Sequence, residues 1–322
     1  MKLQLTVYFT YIFIVYAGIV AYSCQSDSRP NKNTGSGNSF DNRRSPLMLD
    51  LIRAEEMFAA GEPHQALELI DELASKQPQW ADPYLLKGNI LTTVSQNGRA
   101  RSAYEKLVKI DPDYLSAWFK LGNNAYRNKQ YRQAINFYNQ ELTGKQANAL
   151  QSKDKQITML QIGRCYMHLG EADSALIIYK KCIKIDSLYS EVMGDLARLY
   201  TDNGEYKTAI DFANKAVALD KKNIDYKYSL GTVYLKTNQY MQAVAYLQEV
   251  ADQRPFYEGV YYNLGQAFIR SGNNITGSQY LLKADSIQTM YSNLENLKLA
   301  TDKNPDNQRQ WLELAKAYDS VG

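Results

Sequence analysis

Histidine and cysteine, the side chains most used for metal and redox chemistry, are scarce in this chain. Histidine occurs twice and cysteine three times in 322 residues, too few for a disulfide framework or a zinc cluster. His64 and His168 share no helical spacing with each other or with a cysteine, and both read as surface residues. A phosphate-binding glycine loop is missing: Gly35-Ser36-Gly37 lies in a polar stretch without the strand-to-helix context such a loop needs. A net charge of +3 is too small to argue for nucleic acid, where a basic face is expected. No cofactor is implied, no catalytic constellation survives, and an enzyme is not expected. Long apolar runs are absent too, save one from Leu3 to about Tyr22.

Lys2 precedes that run, and Ala21-Tyr22-Ser23-Cys24 closes it. A basic start, an apolar middle and small residues near the end describe a secretory signal peptide over 1–23. Cys24, directly after Ser23, resembles the lipobox of bacterial lipoproteins. That resemblance implies a lipidated Cys24 as mature N-terminus, and a cell-envelope protein held at a membrane, outer membrane or periplasm-facing. Ala21 stands where leucine is usual, and Tyr22 is bulky for its place. The same residues would serve an ordinary signal peptidase, and the run is just long enough for an uncleaved anchor. Residues 24–46 follow as a tether. Gln25 to Pro46 holds almost no large apolar residue, so it cannot bury enough surface to order itself.

Beyond the tether the chain is periodic. In Ser116 to Tyr138, Trp118, Leu121, Gly122 and Ala125 fall on one face of a first helix, and Asn128 to Gln130 suit a tight turn. Tyr131, Ala134, Ile135 and Tyr138 mark the inner face of a second helix. A small residue recurs at the Gly122 phase: Ala54, Gly88, Gly122, Gly163, Ala197, Gly231 and Gly265. Each step is 34 residues except the one from Gly122 to Gly163, which is 41 and places a seven-residue insertion in the polar stretch Leu142 to Lys155. That stretch either extends a helix or forms a protruding loop. Twelve residues after each small residue comes another: Ala66, Ala100, Ala134, Ala175, Ala209, Ala243 and, in the seventh unit, Gly277. Pro78, Pro112 and Pro255 close units at one phase. Asp50 and Arg53 replace apolar residues in the first unit, as in a solvated end cap.

These residues resemble the tetratricopeptide repeat, or TPR, whose 34-residue helix–turn–helix pattern has the same W, L-G, Y, A, F and P positions. The resemblance covers about 47–291, with a partial match at Trp311, Leu314, Ala315 and Tyr318. It implies an all-α fold, a right-handed α-solenoid of about seven units. For 292–322, Leu294, Leu297 and Ala300 suggest one additional helix ending at Asn304-Pro305, followed by a partial repeat from Gln310 to Val321. Cys165 and Cys182 lie on the two helices of one unit. An oxidising envelope would join them if their Cα atoms came within about 7 Å, whereas Cys182 at an alanine phase reads as one of two buried thiols.

In TPR proteins the first helices line a groove, and ligand contacts come from fixed phases of those helices. The phase after the small residue holds Asn89, Asn123, Arg164, Arg198, Thr232 and Gln266, and the phase four further on includes Arg127. Aromatic neighbours are Phe119, Tyr126, Tyr228 and Tyr262. The row is donor-rich. It suggests a scaffold or adaptor that binds an extended, acidic protein segment, with Arg164 and Arg198 as central donors. Two alternatives are a carbohydrate- or nutrient-binding lipoprotein, since tyrosine stacks on sugars, and the sensor portion of a longer signalling protein. The carboxylate clamp of chaperone-binding TPR domains is not implied. One register would place Leu85, Asn89, Lys120, Ile157 and Gln161 at its positions, and the next register fits no better.

Overall fold

The computed structural model describes residues 45–304 and 307–321. The segment 1–23 expected to be a signal peptide, Cys24 and nearly all of the expected tether lie outside the described residues. Within them the chain is all-α: fifteen α-helices and one 3₁₀ turn, with no strand. Two compact units divide between Ala149 and Leu150.

The first unit holds three antiparallel hairpins. They are α1 (Pro46–Ala59) with α2 (Pro63–Lys76), α3 (Asp82–Thr93) with α4 (Asn97–Ile110), and α5 (Ala117–Arg127) with α6 (Tyr131–Thr143). A 3₁₀ turn, Lys145–Asn148, follows. The second unit holds four. They are α7 (Ser152–His168) with α8 (Ala172–Ile185), α9 (Ser190–Asp202) with α10 (Tyr206–Leu219), α11 (Ile224–Lys236) with α12 (Tyr240–Gln253), and α13 (Val260–Arg270) with α14 (Asn274–Lys303). Helix α15 (Gln308–Val321) folds back on α14. Within the second unit α9 touches α7 and α11, and α11 touches α13, so the first helices line one face.

A size match sets the hairpin interior. A Cβ built on Gly88, Gly122 or Gly163 would lie 2.3, 2.3 or 2.2 Å from Cε1 of Tyr104, Tyr138 or Tyr179, each sixteen residues later. All three rings are buried, and each such ring contributes a few kcal/mol of hydrophobic stabilisation. Where the first position is Ala197, the residue sixteen later shrinks to Ala213, and both are buried. Gly231 and Gly265 face the smaller Leu247 and Leu281. At Gly265 the backbones themselves close up. A Cβ on Gly277 would come within 2.9 Å of the Gly265 carbonyl oxygen, which is why glycine replaces alanine there.

The turns repeat as strictly as the helices. Seven residues after each small position the backbone turns left-handed: Gly61, Ser95, Lys129, Gly170, Gly204, Asn238 and Gly272 have φ between 59° and 94°. The next residue's N–H then bonds a carbonyl five residues back, as Gln130 does to Ala125 at 2.9 Å and Glu205 to Tyr200 at 2.8 Å. This is the Schellman closure of a helix C-terminus. Between hairpins, Asp111, Asp186 and Asp220 each accept from the backbone N–H two residues on, a turn their side chains impose. Helix α5 has a different device. Buried Glu141 of α6 accepts from the N–H groups of Ser116 at 3.0 Å and Phe119 at 3.2 Å, satisfying donors that helix starts leave orphaned.

The insertion is absorbed mainly by helix. Helix α7 runs for 17 residues, against 11 to 13 for α3, α5, α9, α11 and α13. At the other end, the additional helix expected after Tyr291 is not separate. It continues α14, which has 30 residues against 14 for α12. The 16 extra residues match the sequence: Ala315 follows Gly265 by 50 residues, one repeat of 34 and a further 16.

Replacing Gly122 by alanine is expected to lower stability by about 1–3 kcal/mol through overpacking against Tyr138, although alanine favours helix by about 1 kcal/mol. Urea unfolding followed by circular dichroism measures this, and an unchanged or raised midpoint contradicts it.

Candidate functional site

The phase after the small residue is where donors for a partner are expected. In the first unit its side chains also complete the hairpin. Tyr104 Oη donates to Asn89 Oδ1 at 2.9 Å, and Tyr138 Oη donates to Asn123 Oδ1 at 2.8 Å. The tyrosine that fills the glycine hollow thus holds the amide beside that hollow by its oxygen. Phe119 lies 5.7 Å from the Tyr138 ring, so Phe119, Asn123 and Tyr138 form one group. Tyr126 packs edge-on against Tyr131 at 5.5 Å, across the α5–α6 turn. Arg127 is exposed at the end of α5. Burial raises the Tyr104 hydroxyl from its ordinary 10.0 to about 12.

In the second unit the same phase carries charge. Arg164 Nε donates to Asp195 Oδ2 at 2.7 Å, and an Arg198 terminal nitrogen lies 3.5 Å from Asp195 Oδ1. Tyr179 Oη, over Gly163, reaches Asp195 Oδ2 at 3.4 Å. Burial first, then the Asp195 charge, raise the Tyr179 hydroxyl far above its ordinary value. The carboxylate is 12% exposed, and Arg198 is 53% exposed. Two guanidiniums thus meet on one carboxylate, and Arg198, the outer of the two, faces water.

Asp195 is the member that sequence reasoning missed. Its signal is an offset: it follows Arg164 by 31 residues, one repeat less three. The same offset joins Thr232 to Asn263, whose amide nitrogen lies 3.5 Å from Thr232 Oγ1 and 3.0 Å from Tyr228 Oη. Tyr228 also packs on Tyr257 at 4.7 Å, so it is part of the α11–α13 contact. Gln266 is half-buried on α13, and Tyr262 is exposed. The Cys165 and Cys182 sulfurs are free and buried, and burial pushes the thiols up to about 12 and about 11. Thiolate chemistry is thereby suppressed at neutral pH.

Models of the tetratricopeptide repeat match residues 85–149 and 155–222, and the model of anaphase-promoting complex, cyclosome, subunit 3 matches 202–284. Tetratricopeptide repeats are therefore found in both units. No curated protein matches the chain in sequence. Among solved structures it is similar to that of the APC/C hetero-tetramer Cut9–Hcn1, at 17% identity and a TM-score of 0.58, over 84% of this chain and 48% of that one. The chain thus spans about half the length of that relative. It is similar also to PilW, a widely conserved type IV pilus biogenesis factor, at 16% identity and TM-score 0.58, covering 68% and 98%. Pseudomonas aeruginosa pilF gives 14% identity and TM-score 0.54, covering 65% and 92%. At these identities the likeness is one of fold. The fold is that of TPR solenoids, proteins that typically hold protein or peptide partners.

The buried tyrosines make stability fall at high pH. Because folding raises the Tyr104 hydroxyl to about 12, its contribution is whole below the unfolded value near 10. It is lost as pH rises through about 12, and is worth up to ~3 kcal/mol. Urea midpoints at pH 9 and pH 11.5 are expected to fall less for Tyr104→Phe than for the wild type. Equal falls contradict the assignment.

Proposed function

We propose that this chain is a protein–protein interaction scaffold or adaptor of a bacterial cell envelope. It binds an extended, acidic segment of another protein along the first helices of its second unit. The observation that carries the reading is the Arg164–Asp195–Arg198 cluster, set on a face made of touching first helices. Asp195 holds the Arg164 guanidinium at 2.7 Å before a partner arrives and draws Arg198 toward it at 3.5 Å, so binding orders fewer side chains. Half-exposed Arg198 then offers its planar fork to an incoming carboxylate. The net charge of the three groups is +1, which favours an acidic segment over a basic one.

In the first unit the amide oxygens of Asn89 and Asn123 are engaged by tyrosine hydroxyls. Such orientation turns the amide nitrogens away from the tyrosines, where they suit the carbonyls of an extended backbone. Chemistry of its own is not part of this reading. The envelope location, and attachment through a lipidated Cys24, rest on the sequence from Lys2 to Cys24.

Cross-linking in intact cells, read by mass spectrometry, is expected to recover an envelope protein with an acidic segment. Arg164→Ala with Arg198→Ala should lower its recovery at least 10-fold while leaving the helical signal intact. Unchanged recovery by that variant overturns the reading.

A further inference from the structure

In the second unit, each hairpin before the last has one face covered by the next first helix: α9 lies on α8, α11 on α10, and α13 on α12. The last hairpin differs. Helix α14 continues straight where a turn would return the chain, and α15 folds back on α14. A cleft of about 520 Å³ remains between α13 and α14. Its floor is Leu281, Ala284 and Ile287, with Tyr257, Tyr262 and Tyr291 around it and no residue of α15 in its lining.

One repeat earlier the equivalent face is closed. Tyr228, 34 residues before Tyr262, is packed by Tyr257 and bonded by Asn263, whereas Tyr262 is 55% exposed. Leu247, Val250 and Ala251 are buried. Their counterparts Leu281 and Ala284 are only half-buried, and Asp285, at the Ala251 phase, is exposed. Tyr291 Oη donates to the Phe256 carbonyl at 2.7 Å, which pins the extended helix to the loop before α13 and fixes the cleft's far wall.

The geometry points to a docking site for a partner's amphipathic helix, seated where the next repeat's first helix would lie. The helix that fills the preceding seat defines the occupant. In α13, Val260, Tyr261, Leu264 and Ala267 form a buried stripe at i, i+1, i+4 and i+7. The rim defines its charge. The ionisable side chains lining the cleft besides tyrosine are Glu258 and Asp285, both acidic and exposed. Nearby, Lys283 already lies over the Tyr261 ring at 4.1 Å. The occupant is therefore an apolar-striped helix with lysine or arginine at its edges. This preference opposes that of the Arg164–Arg198 site and does not depend on it.

The probe is a fluorescent, helix-stapled peptide with the sequence of residues 257–271 and two lysines added at each end. Its anisotropy is read on titration with the full chain. Wild type is expected to bind it, and Ala284→Glu in the floor to weaken binding at least 10-fold. Asp285→Lys, at an exposed position, should weaken it several-fold and flatten its salt dependence. Leu282→Glu, 72% exposed and outside the lining, should change nothing. Absence of wild-type binding overturns the inference, as does equal binding by the Asp285→Lys and Leu282→Glu variants. Self-association that Ala284→Glu abolishes also overturns it, making a second copy the occupant.

Discussion

A tyrosine ring packed on a missing side chain is the contact on which three hairpins of this protein depend, and the others meet the same constraint with smaller side chains. Glycine leaves the hollow in the first helix, and the ring sixteen residues later fills it from the second. Neither half works alone: a Cβ in the hollow strikes the ring, and a smaller side chain leaves a void that a packed interior does not tolerate. The pairs Ala197 with Ala213 and Gly231 with Leu247 are other solutions of the same volume problem. Since each hairpin buries only a small interior, it gains the rest of its stability from its neighbours, the general condition of repeat proteins.

The same contact carries polarity to the surface. A buried tyrosine must place its hydroxyl, and here it leaves the hairpin beside the glycine and meets the next residue's side chain. That residue is an amide in the first unit, at Asn89 and Asn123. In the second unit Tyr179 meets Asp195, which gathers Arg164 and Arg198. The packing rule thus sets the polar row that a partner would read. In each unit those side chains are oriented from below, by buried groups of the hairpin.

Much of this was legible in the sequence, and the remainder was not for definite reasons. The 34-residue phase gave the helices, their pairing and the small positions, because period and glycine report directly on local geometry. Tyr138 read as an inner-face residue of its helix, but helical spacing does not say that it, like Tyr104 and Tyr179, answers a glycine sixteen residues earlier. The left-handed turn position escaped notice because Ser95, Lys129 and Asn238 share it with four glycines. Asn89 and Asn123 stood out as donors, whereas their oxygens accept, a matter of which end of an amide faces inward. Asp195 was invisible as a partner of Arg164 because only stacking of adjacent hairpins brings residues 31 apart together. At the C-terminal end, Leu294, Leu297 and Ala300 announced helical backbone, but as an additional helix, whereas these residues belong to α14. Nothing local shows that it continues α14, since no breaker stands between Gly277 and Asn304.

The interlock is tested most directly by a double-mutant cycle on Gly88 and Tyr104 in urea unfolding. Gly88→Ala should cost stability when Tyr104 is present and cost nothing, or stabilise, in a Tyr104→Ala background, where the pair imitates Ala197 and Ala213. The same loss from Gly88→Ala in both backgrounds would mean that the ring does not depend on the hollow, and the account of hairpin and polar row together would fail.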